Sequence, residues 1–62
     1  MKRYAIEKID FETQETVADY GRGFTEEDVK DITKGYKETE HIGNWTIYQR
    51  KNCRVGYIAI EQ

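Results

Sequence analysis

The chain has 62 residues, 37% hydrophobic and 35% charged, with a formal net charge of −2. That length allows one domain, expected to span residues 1–62, with a thin core and a stability of roughly 3–9 kcal/mol. The charge excludes a global field toward nucleic acid or membranes, the aromatic content (five Tyr, two Phe, one Trp) argues against disorder, and no apolar run reaches the length of a membrane span.

Cys53 is the lone cysteine, so no intramolecular disulfide can form. The single thiol and the polar N-terminus point to a cytoplasmic protein.

Residues 2–9, "KRYAIEKI", alternate as a strand. Asp10 opens a turn in "DFETQE", because its carboxylate can accept from backbone two residues on, and "TVADY" at 16–20 is the return strand. "GFTEEDV" then carries helix-start chemistry. Thr25 is the N-cap, Asp28 stands at the third helical position of a capping box, and Phe24 and Val29 have the spacing of a hydrophobic staple. Val29, Ile32 and Tyr36 continue a narrow apolar stripe to Gly35, which predicts a helix over about 25–35. Glu26, Glu27 and Asp28 occupy the positive helix end, so "GRG" at 21–23 reads as chain geometry rather than a phosphate cradle. "KETEHIGN", 37–44, reads as a polar loop. "WTIYQR", 45–50, is a strand, Lys51-Asn52 a tight turn, and "CRVGYIAIE", 53–61, a last strand apolar enough to lie centrally. The expected fold class is α+β: one β-β-α-β-β domain, a four-stranded sheet with one helix on one face.

No catalytic constellation emerges. His41 and Cys53 fall in separate turns, so a nucleophile–base pair has nothing to join it. Glu38, Glu40 and His41 are close in sequence, but without a second His or Cys cluster they read as a solvated loop. The expectation is a non-enzyme with no metal and no cofactor. Arg50, Lys51 and Arg54 cluster near Trp45, Tyr48 and Tyr57 in the last hairpin, which is the composition of a weak single-strand nucleic-acid binder.

Apolar residues occupy both phases of the strands, while one short helix can cover one side only. In the last strand Ile58 and Ile60 oppose Val55, Tyr57 and Ala59; in the third Trp45 and Ile47 oppose Tyr48. An open sheet face carrying Tyr48, Val55 and Tyr57 is the expected contact surface.

Two resemblances follow from particular residues. The β-β-α-β-β layout, with "GNWTIY" at 43–48, resembles the β-grasp immunoglobulin-binding domains of protein G; the likeness implies a parallel central pair of first and last strands, and antibody binding is not carried over. "YAIEKIDFETQETVADYGRGFTEEDV", 4–29, resembles small accessory proteins of bacteriophages and prophages. That likeness implies a protein of the host cytoplasm that binds and blocks a host factor. The expected function is therefore protein–protein contact, with a partner, with a second copy, or both. The alternative is nucleic-acid binding at Arg50, Lys51 and Arg54, and a third reading has the acidic helix end acting as a decoy for a basic site.

Overall fold

A computed structural model describes residues 2–62. The elements run β1 Tyr4–Asp10, β2 Glu15–Phe24, α1 Glu26–Ile32, β3 Lys37–Ile42, β4 Trp45–Gln49 and β5 Val55–Glu61. The strands form one sheet ordered β2-β1-β5-β4-β3, antiparallel at every step. The expected α+β fold with a four-stranded sheet is corrected to a small, mostly-β fold of five antiparallel strands with one short helix.

The added strand is β3, in the segment read as a polar loop. All six of its residues are exposed, so it carries no buried stripe to betray it. A two-residue connection, Gly43-Asn44, joins it to β4, with Ile42 paired to Trp45 on either side. Gly43 has φ 57°, the positive value that the first position of a type II′ hairpin turn demands. The extra hairpin also reverses the chain once more before the last strand. β1 and β5 are neighbours near the centre of the sheet, but antiparallel, from Tyr4 opposite Glu61 to Asp10 opposite Val55.

The β1–β2 turn is built on Asp10. Its Oδ1 accepts from the Glu12 and Thr13 backbone N–H groups at 3.0 and 3.3 Å, and Gln14 N–H donates to the Asp10 carbonyl at 2.7 Å. β2 runs past the expected 16–20 to Phe24, and its register against β1 breaks three times, each time with one extra residue on β2. Gly21 and Gly23, at φ 92° and 90°, supply the backbone conformations this bulged strand end needs. β3, the other edge, carries a bulge at Thr39.

The helix starts as its sequence dictates. Asp28 N–H donates to Thr25 Oγ1 at 3.1 Å, and Thr25 N–H donates to Asp28 Oδ2 at 3.0 Å. It ends at Ile32, three residues earlier than expected. Thr33 turns its hydroxyl back to the Val29 carbonyl at 2.7 Å, and Gly35 takes φ 87°. Val29 seats on Ile6, Tyr57 and Ala59, and this cluster is flanked by Tyr4, Phe24, Ile32, Tyr36 and Tyr48. The core thus lies between the helix and one side of the sheet. Gly56 permits a close crossing: a Cβ there would overlap the Tyr48 carbonyl oxygen and stand 2.6 Å from the Phe11 ring.

Candidate functional site

Register assigns each strand residue to a side of the sheet, because directly opposed residues in a ladder share a face. The helix side holds Tyr4, Ile6 and Lys8 of β1, Thr46 and Tyr48 of β4, and Tyr57 and Ala59 of β5. The other side holds Ala5, Glu7 and Ile9, then Ile58 and Ile60, then Trp45 and Ile47. The expectation that Tyr48, Val55 and Tyr57 form the open face is therefore corrected: these residues lie on the helix-covered side. Tyr57 is only 9% exposed, and Tyr48 and Val55 are half-buried. The rings of Tyr20 and Tyr36 meet Tyr57 edge-on at 5.9 and 5.0 Å. Burial, helped by the Tyr20 hydroxyl, pushes the Tyr57 phenol up to about 12.

The helix-free side has a definite pattern. One row crosses four strands as Ile42, Trp45, Ile60 and Ala5. The next runs Glu40, Ile47, Ile58, Glu7 and Asp19, apolar in the middle and acidic at both ends. Exposure grows toward the β3–β4 turn. Ile58 and Ile9 are shielded by their neighbours, whereas Trp45 is 48% and Ile42 61% exposed. No second helix or sheet lies over this face among the described residues. Chain pattern had placed Trp45 and Ile47 opposite Tyr48; it missed Ile42, whose role follows only from the pairing of β3.

A cleft of about 260 Å³ opens on the helix side, between α1 and the β3–β4 hairpin. Val29, Ala59, Tyr4 and Tyr48 line its apolar part. Tyr4 donates to Glu26 Oε1 at 3.3 Å. Burial raises both phenols, with Glu26 adding to the effect at Tyr4 and Glu38 at Tyr48. Carboxylates and cations alternate around the mouth, with Glu26, Glu38 and Glu61 set against Lys2 and Lys30. Lys2 pairs with Glu61 at 3.6 Å. His41 also lines this cleft, its Nδ1 2.9 Å from Thr46 Oγ1. Glu38 and His41 share this side, while Glu40, opposite Ile47, belongs to the other. Among the described residues no group of His, Cys, Asp or Glu is arranged to hold a metal ion.

The basic hairpin residues separate. Arg50 and Lys51 are exposed beside Asn52, which takes φ 63° in the β4–β5 turn. Arg54 reaches across to β1, with Nη2 2.8 Å and Nε 3.0 Å from Asp10 Oδ2, and Nε 3.6 Å from Glu12. That hydrogen-bonded guanidinium holds the Asp10 carboxyl below its usual range. Trp45 lies on the opposite face from Tyr48 and Tyr57 and at the far end of β4 from this turn, so the three aromatics do not share one surface. Cys53 is exposed in the same turn, at the other end of the hairpin from His41. Among the described residues no helix is long and apolar enough to cross a membrane. Comparison with protein-family models, curated proteins and solved structures returned no match.

Proposed function

We propose that this chain is a non-enzymatic contact protein that docks its helix-free sheet face on another protein surface. The observation that carries the reading is the apolar row Ile42–Trp45–Ile60–Ala5, which no other element covers among the described residues. Large exposed apolar residues gathered in one patch mark contact surfaces, and tryptophan is among the residues that most often dominate them. The phage-like residues 4–29 support a setting in a bacterial cytoplasm, where such a protein would occupy a host factor rather than transform a substrate. Nucleic-acid binding has less support, because Arg54 is engaged by Asp10 and Glu12 and leaves Arg50 and Lys51 as the open cations of the turn.

The test is position-specific photo-crosslinking in a bacterial cytoplasm. A benzophenone side chain replacing Ile42 should yield protein adducts. The same group replacing Glu27, exposed on the helix, should yield far fewer. Equal, background-level adducts from both positions would remove the contact reading.

A further inference from the structure

We infer that the cleft between α1 and the β3–β4 hairpin binds a small primary alkylammonium, its chain lying on the apolar floor and its nitrogen held among carboxylates and phenol oxygens. The cleft opens on the helix side of the sheet. This site is therefore separate from the contact face proposed above and stands without it.

Register sets the space. Three rows cross the sheet on this side. Tyr4 stands opposite Glu61 in the first; Ile6, Ala59, Thr46 and His41 form the second; Lys8, Tyr57, Tyr48 and Glu38 form the third. The middle row is low at Ala59, whose side chain is a single methyl group, while the rings of Tyr4 and Tyr48 flank it in the rows on either side. Val29 of α1 packs against Ala59 and lines the same gap. Lys8 stays out of it, with Nζ over the Tyr57 ring at 5.9 Å from the centroid. The gap measures about 260 Å³. At roughly 30 Å³ per water-sized unit it has room for roughly nine, enough for an ammonium on a chain of about five carbons with water at the mouth.

The same register decides the sign of the charge that fits. Each phenol has a carboxylate as its ladder neighbour, Glu61 beside Tyr4 and Glu38 beside Tyr48. The helix adds Glu26, whose Oε1 accepts from the Tyr4 hydroxyl at 3.3 Å. Two lysines also line the cleft, but Lys2 is paired with Glu61 at 3.6 Å, and Lys30 stands one helical turn from Glu26, where the two charges offset each other. Glu38 is left, and among the described residues it has no ion pair. The phenols register this balance. After burial, the charges that raise them are Glu26 and Glu61 at Tyr4 and Glu38 at Tyr48. An anion would meet those carboxylates, and an uncharged apolar guest would strip water from them without replacing it. A primary ammonium brings three N–H donors, which match Glu38, Glu26 and a phenol oxygen. Its chain can lie on the Ala59 and Val29 methyl groups while the charge faces the tyrosine rings.

The experiment is a titration of the intact chain with pentylammonium, followed through backbone amide chemical shifts, with pentanol and pentanoate as neutral and anionic probes of the same length. Pentylammonium should give saturable shifts centred on Val29, Thr46, Tyr48 and Ala59, with affinity in the millimolar range. The other two probes should bind about tenfold more weakly or worse. Glu38→Gln should weaken pentylammonium roughly three- to tenfold and leave pentanol unchanged. Glu38 is exposed on an edge strand, so this variant keeps the fold. Glu12→Gln, the same loss of charge in the exposed β1–β2 turn, should leave pentylammonium binding as it was. Nα-acetyl-lysine amide, titrated in parallel, distinguishes the sources of the ammonium: affinity equal to that of pentylammonium points to a lysine side chain on a peptide, and much weaker affinity to a free amine. Failure of pentylammonium to saturate by about 100 mM overturns the proposal. So do equal shifts from all three probes, shifts centred outside the cleft, or equal weakening by Glu38→Gln and Glu12→Gln.

Discussion

Thr25 and Asp28 show how far single residues can specify structure here. Each side chain satisfies the other residue's backbone N–H, so two donors that a helix start leaves open are matched within four residues of chain. Thr25→Ala should lower stability by roughly 0.5–2 kcal/mol, read as a reduced denaturant midpoint. The Thr25 backbone N–H, and then its hydroxyl contact, hold the Asp28 carboxyl below its usual value. A lowered folded-state value means that the contribution is present above the unfolded carboxylate value of about 3.9 and is lost as pH falls through the folded one. The midpoint should therefore drop in acid below that value. Asp28→Asn should shrink that drop without abolishing it, because Asp10, lowered by its hydrogen bonds to Arg54, titrates in the same sense.

At the scale of elements, β3 is the strand held by the least. It is an edge, it buries none of its six residues, and it pairs only with β4. Its place depends on the Gly43-Asn44 turn and on the Ile42–Trp45 pair. Native-state hydrogen exchange should find its ladder amides opening well before those of β1 and β5. Gly43→Val should cost about 1 kcal/mol or more, since a β-branched residue is strained at that positive φ. The loss should appear as faster exchange confined to the β3–β4 ladder. Uniform acceleration across β1 and β5 would instead show that β3 unfolds only with the whole sheet.

Across the whole molecule, Tyr57 ties the layers together. It sits on β5, packs under Val29 of α1, and takes the rings of Tyr20 from β2 and Tyr36 from the segment after the helix. Its phenol, pushed up to about 12 mainly by burial, must lose its proton more readily in the unfolded chain, where tyrosine titrates near 10. The sign is that of a raised group. Its contribution is whole below about pH 10 and is lost as pH rises toward the folded value. Alkaline unfolding should accordingly steepen between those limits, and Tyr57→Phe should flatten that limb while leaving the acid limb untouched.

Local chemistry was legible from sequence alone. The cap at Thr25, the Asp10 turn and the strand character of 45–49 and 55–61 each depend on residues within a few positions of one another or on the composition of one short run. The Gly43-Asn44 turn and β3 both read as one polar loop over 37–44, because five of the six residues before that turn are polar or charged and an edge strand needs no buried stripe. Missing β3 also left the last strand's direction against β1 open to the wrong reading. Which side of the sheet meets the helix was decided only in the tertiary structure. Both phases of β5 are apolar, so its pattern is nearly symmetric. The choice fell to packing: the small Ala59 beside Ile6 lets Val29 seat closely, and Tyr57 finds Tyr20 and Tyr36 on that side alone. Trp45, Ile60 and Ile42 are thereby left on the other side, where among the described residues no second element covers them.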